Sequence, residues 1–207
     1  MSQQPKSTSV SWHRESATPA ERTVICLGTA RGGTSAVGGT LQRLGVFMGS
    51  NLPDTYEDPD FIGQPNTTRL KAVDSRNASH PVWGWKDPHA ALYLDALMPK
   101  LRNPYLIIVF RDPVASETNF VRLLKGADPR PSLAGTMNLQ HRNFMLAMYL
   151  ARPVLLLSYE RIVREPLQAV ADIAEFVDLP YPDARGQESL KAFLAPGSYK
   201  KPDYVAG

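Results

Sequence analysis

Between Thr23 and Leu44 the chain reads TVICLGTARGGTSAVGGTLQRL: a short β-rich apolar run, a glycine-rich turn, and then helix-like spacing with Val37, Leu41 and Leu44 apolar. A strand that feeds a helix through such a turn presents backbone N–H groups and a helix N-terminus at a single point, which is a setting for an anion. The turn, Gly28-Thr29-Ala30-Arg31-Gly32-Gly33-Thr34-Ser35, keeps the Walker-type spacing, with Gly28 and Gly33 five apart and a hydroxyl residue at its end. The slot of the Walker lysine, however, holds Thr34, and the cation sits three residues earlier, at Arg31. A P-loop nucleotide kinase, with ATP and Mg²⁺, is therefore the weaker reading of this turn.

The remaining pattern alternates strands and helices. Val82–Lys86, Tyr105–Phe110 and Val154–Ser158 read as strands, the second continuous and apolar enough to be buried on both faces. Helical spacing is expected at 90–101, 114–124, 132–150 and 166–177, and a helix within 61–76. The acidic, turn-rich 49–61 segment reads as a surface loop. Leu139, Phe144, Met145 and Met148 are expected to be the packing face of the 132–150 helix. The predicted fold class is α/β, a three-layer arrangement of a parallel sheet flanked by helices. Residues 1–21, rich in Ser, Gln and Thr, are expected to be a flexible tail, and 22–207 one folded domain.

Composition narrows the function classes. A chain of 207 residues with a single cysteine, Cys26, has neither a disulfide framework nor a multi-cysteine metal site, and His13 and His80 lack companions at ligand spacing. No metal is expected. No apolar run is long enough to span a bilayer, and the first residues lack the apolar stretch of a secretory signal, so a cytoplasmic protein is expected. With 23 basic and 20 acidic residues the net charge is only +3, too mild to argue for nucleic acid and well suited to a small anionic ligand.

Four segments, in order along Thr23–Leu179, resemble the sulfotransferase family that uses 3′-phosphoadenosine 5′-phosphosulfate as donor. The RGGTS turn is similar to the family's 5′-phosphosulfate loop. Trp83-Gly84-Trp85-Lys86-Asp87-Pro88 resembles the WKDP stretch of bacterial members. Leu106 to Pro113, ending in Arg111-Asp112-Pro113, resembles the 3′-phosphate motif, and Ser158-Tyr159-Glu160 onward resembles the segment near the adenine. The resemblance implies a P-loop-like sulfotransferase fold over 22–207 and no metal requirement. It also implies transfer of a sulfuryl group to a hydroxyl, or less readily an amine, of a small-molecule or glycan acceptor.

By the same resemblance, Arg31, Gly32, Gly33, Thr34 and Ser35 would surround the phosphosulfate, with Arg31 and Lys86 stabilising charge as the S–O bond breaks. Arg111 would hold the 3′-phosphate. The serine that the family carries eight residues later is replaced here by Asn119, with Ser116 one turn earlier on the same face. Tyr159 would lie near the adenine. For the base that takes the acceptor's proton, Glu57 comes first, His89 second and Asp58 third. The slot where cytosolic members carry histidine holds Pro88. That departure and Asn119 leave a catalytically degenerate binding module of the same fold as an alternative. Trp83, Trp85 and Phe61 suit either a pocket wall or the core. Ser198-Tyr199-Lys200-Lys201 is a basic stretch without a clear match. The acceptor and the oligomeric state stay open.

Overall fold

In the computed structural model, residues 9–12, 18–121 and 128–196 are described. Five strands form one sheet: β1 (Ser9–Trp12), β2 (Arg22–Leu27), β3 (Val82–Lys86), β4 (Pro104–Phe110) and β5 (Val154–Ser158). Their order is β1-β5-β4-β2-β3. Strands β5, β4, β2 and β3 run parallel, and β1 pairs antiparallel with β5 at the edge, Ser9 opposite Leu157. Strand β1 lies within the 1–21 stretch expected to be a flexible tail: Val10 is exposed, while the Trp12 indole donates to the Ala147 carbonyl at 3.2 Å.

Alternation along the central strands divides the core into two layers of side chains. From β2, Val24 and Cys26 point to one face and Ile25 and Leu27 to the other; from β4, Tyr105, Ile107 and Val109 oppose Leu106 and Ile108. Helices α1 (Thr34–Arg43), α7 (Pro166–Phe176) and α8 (Ala184–Leu194) close the first face through residues such as Leu41, Ile173 and Phe193. Helices α2 (Asn66–Ser79), α3 (Leu94–Leu97) and α5 (Pro129–Tyr149) close the second through Val73, Leu94 and Ala147. Each fully buried aliphatic side chain stabilises such a core by about 1.5–3 kcal/mol. Helices α4 (Pro113–Val121) and α6 (Tyr159–Arg164) follow β4 and β5 directly. Between β3 and β4, the expected single helix over 90–101 is short α3 flanked by two 3₁₀ turns.

The acidic loop is more ordered in its contacts than a solvated surface segment would be. Leu52, Tyr56, Asp58 and Phe61 are buried, and the Glu57 backbone makes a parallel bridge to Lys86, covering the exposed edge of β3. Asp58 belongs to the loop's own framework: its carboxylate meets Arg76 at 2.5 Å, and burial pushes its pKa up against the pull of that arginine. Phe61, Trp83 and Trp85 are core residues. Phe61 stacks on Trp85 with ring centres 4.3 Å apart and planes 7° apart. The α5 face carrying Phe144 and Met148 is exposed rather than packed, which corrects the reading of those two positions as core.

Candidate active site

Parallel strands deliver their carboxyl ends to the same edge, and there an open α/β sheet presents its ligand site. The order β5-β4-β2-β3 therefore fixes the lateral order of the four segments: Tyr159, Arg111, the glycine turn, then Lys86 with His89.

The turn itself is held from several sides. Arg31 adopts a left-handed φ of 59°, and its carbonyl accepts a hydrogen bond from Arg111 Nη1 at 2.7 Å. Gly33 sits at the N-terminus of α1 with φ 91°, and a Cβ placed there would lie 2.0 Å from the Tyr159 ring. Only glycine satisfies both the backbone angle and the close approach. Below the turn, Asn143 of α5 donates to the Gly28 carbonyl at 2.6 Å, and Gln140 donates to the Arg111 carbonyl at 2.6 Å. Sequence reading missed these two residues. Asn143 is buried and Gln140 half-buried, and their signal is an amide on a helix that otherwise offers apolar groups to the sheet.

Arg111 also lies over the Tyr159 ring, its guanidinium carbon 4.5 Å from the ring centre. Its Nε is buried with no hydrogen-bond partner among the described residues, as is Thr29 Oγ1 within the turn. Buried donors without partners are uncommon in folded proteins, and these two suit a phosphate-rich ligand held against the turn. Ser116 is buried on α4 and donates back to the Asp112 carbonyl at 3.1 Å. Asn119 lies on the same helix; its side chain is outside the described set, as is the whole 198–201 stretch.

On the other side of the turn, Lys86 is only 2% exposed, yet its ammonium has two partners: the Glu57 carboxylate at 2.8 Å and the Thr55 carbonyl at 3.1 Å. The same carbonyl accepts from Ser35 Oγ at 2.9 Å. Tyr56, buried and with φ 58°, stands between the two residues that reach Lys86. Glu57, Lys86 and the end of the glycine turn are thus one connected group, with Glu57 about one-third exposed (32%). Lys86 does not pair with Asp87. Asp87 accepts instead from the Tyr93 hydroxyl at 2.7 Å and from the His89 amide at 2.8 Å. His89 is half exposed, and with Thr29 and Arg31 it lines a cavity of about 830 Å³ whose far walls come from α4 and α5. Glu57 and Lys86 do not line that cavity. Among the described residues there is no cluster of three or more groups suited to a metal, and no helix long and apolar enough to cross a membrane.

The sequence model of the sulfotransferase family matches residues 54–183. The chain belongs to that family. Solved structures agree in fold. The sulfotransferase domain from the curacin biosynthetic pathway superposes with a TM-score of 0.57 at 14% identity, covering 91% of this chain and 82% of that one. Sulfotransferase STF9 from Mycobacterium avium gives 0.56 at 15% identity, covering 86% and 68%. Mouse sulfotransferase SULT7A1, solved with PAP, gives 0.56 at 11% identity, covering 84% and 65%. No curated protein matches the sequence. The nucleotide-kinase reading of the glycine turn has no support among these matches.

Proposed function

We propose that the protein transfers a sulfuryl group from 3′-phosphoadenosine 5′-phosphosulfate to a small-molecule acceptor at the carboxyl edge of its sheet. The observation that carries this reading is the connected group of Ser35, Thr55, Lys86 and Glu57. It sets a carboxylate and a buried ammonium beside the end of an anion-binding turn.

The 5′-phosphosulfate lies against Arg31 and the amides of Gly32 to Ser35, where the positive end of α1 adds to the field. The 3′-phosphate goes to Arg111, with Ser116 and Asn119 on α4 as its neighbours, and the adenine lies near Tyr159. The acceptor oxygen attacks sulfur in line with the bond to the 5′-phosphate, which leaves with that bond's electrons. Glu57 takes the acceptor's proton, and Lys86 and Arg31 stabilise the charge spread over the sulfonyl and bridging oxygens. Sulfuryl transfer in this form asks no redox change of any residue. The cavity beside the turn is shared: Thr29, Arg31 and Ser116 line it on the donor's side, and its remainder, which Glu57 does not reach, is the acceptor's place. Because His89 lines it together with Arg31, His89 is a second candidate for the base.

Isothermal titration with 3′,5′-adenosine bisphosphate tests the donor assignment. Micromolar binding by the wild-type protein, absent in Arg111→Ala, is expected. Stabilisation by ATP–Mg²⁺ but not by the bisphosphate would overturn it. Bisphosphate binding without transfer to any of a broad panel of alcohols, phenols and amines would reduce the protein to a binding module.

A further inference from the structure

We infer that Glu117 selects the acceptor, by receiving a positively charged group carried on an otherwise apolar small molecule. The inference rests on the reading of the cavity as the acceptor site. It goes beyond that reading by naming the chemistry the cavity takes.

Glu117 lies on α4 and is only 6% exposed, yet it lines the 830 Å³ cavity. Its Oε1 is buried and has no hydrogen-bond partner among the described residues. A buried carboxylate oxygen without a donor costs free energy, and a cationic donor answers it best. The cavity's own cations do not serve. Arg142 turns its Nε to the Ala91 carbonyl at 3.2 Å, and Arg31, His89 and His141 stand at exposed positions, with none of them paired to Glu117. Much of the wall between is apolar, contributed by Ala30, Leu92, Leu139 and Met145. One buried acceptor of charge inside such a surface is how a pocket orients an amphipathic ligand. The ammonium at Glu117 anchors the molecule and is distinct from the hydroxyl that receives the sulfuryl group.

Three probes of the same shape separate a cation from a neutral donor and from an anion: 3-phenylpropylamine, 3-phenyl-1-propanol and 3-phenylpropanoate. Each is titrated calorimetrically into protein saturated with the bisphosphate. The amine should bind about tenfold or more tightly than the alcohol, as expected for a hydrogen bond to a buried charge, with the propanoate weakest. In Glu117→Gln that preference should fall to about twofold or less, whereas Glu117→Asp, which keeps the charge, should retain it. Equal binding of amine and alcohol, an amine preference that survives in Glu117→Gln, or no amine binding at millimolar concentration would each overturn the inference. Bisphosphate affinity, measured in the same titrations, should not differ between wild type and Glu117→Gln. Its absence from the wild type would count against the donor reading instead, and the probes would then be titrated into free protein.

Discussion

The Lys86 ammonium lies 2.8 Å from the Glu57 carboxylate, although 29 residues separate them in sequence. The bridge that joins their backbones makes the pairing a property of the sheet edge and not of two long side chains meeting by chance. A carboxylate held this way has one oxygen engaged and remains accessible through its exposed third. Glu57→Gln keeps a hydrogen-bond acceptor for Lys86 but removes both the basicity and the charge that pairs with that ammonium. Sulfuryl transfer from labelled donor to a mixed acceptor panel should therefore fall about 10²–10⁴-fold, in the range of a lost general base. Bisphosphate affinity should change by less than about twofold. If Glu57→Gln retains transfer while His89→Ala loses it, the base is His89.

Arg111 has two structural duties besides the one proposed for it, since it braces the Arg31 carbonyl and covers the Tyr159 ring. Arg111→Lys keeps the charge but loses the planar fork that serves all three. The lysine variant should bind the bisphosphate about tenfold or more weakly, by the loss of about one charge-assisted hydrogen bond. Arg111→Ala should bind it about a hundredfold more weakly still. Adenosine 5′-phosphate, which lacks the 3′-phosphate, should show little difference between wild type and Arg111→Lys. An equal loss for both nucleotides would place the effect in the turn and not at the 3′-phosphate.

The legible parts of the sequence were those with a strong local cause. Strand β4 is a continuous β-branched and aromatic run, and Gly28 to Ser35 carries glycines where the backbone must turn. Helix α5 begins at Pro129, ahead of the helical spacing that starts at 132, because Asp128 caps it there: the Asp128 side chain accepts from the Arg130 amide. What escaped was set by tertiary partners. Ser9–Trp12 is a four-residue edge strand with its middle exposed, so it leaves no period to read, and only β5 makes it a strand. The 49–61 loop looks solvated by composition, yet Tyr56 packs edge-on to Phe193, 6.0 Å between ring centres, and Asp58 is buried on Arg76. Glu117 is one acidic residue in a polar stretch, and nothing in its neighbours marks it as facing a cavity.

Gly33 and Tyr159 form the tightest approach around the turn, and a double-mutant cycle can separate its two causes. Gly33→Ala should destabilise the fold by about 2–4 kcal/mol, combining left-handed backbone strain with the clash against the ring. Tyr159→Ala removes the ring and should return part of that loss when combined with Gly33→Ala, leaving the strain from φ 91°. The coupling, read from urea unfolding of all four proteins, should be about 1 kcal/mol or more in the favourable direction. Strict additivity would mean that the turn relaxes away from Tyr159.

Cys26 offers a test of the core between β2 and α1 through pH. Its thiol is fully buried, and burial pushes its pKa up to about 12, against a smaller opposing pull from Lys86. In the unfolded chain a cysteine ionises near 8.5. Between those values the native state holds a proton that the unfolded state has released, so stability must fall as pH rises. The slope from this one group is about 1.4 kcal/mol per pH unit at most. Burial and the neighbouring Asp87 also raise the Tyr93 phenol, which adds a loss of the same sign above about pH 10. Urea unfolding at pH 8, 9.5 and 10.5 should show wild-type stability declining more steeply than that of Cys26→Ala, with the two proteins converging at the highest pH. In the native state at pH 8.5, iodoacetamide should leave Cys26 unmodified over hours and label it within minutes once urea is added. Labelling of the folded protein at the rate of a free thiol would mean that β2 opens to solvent at the foot of the glycine turn.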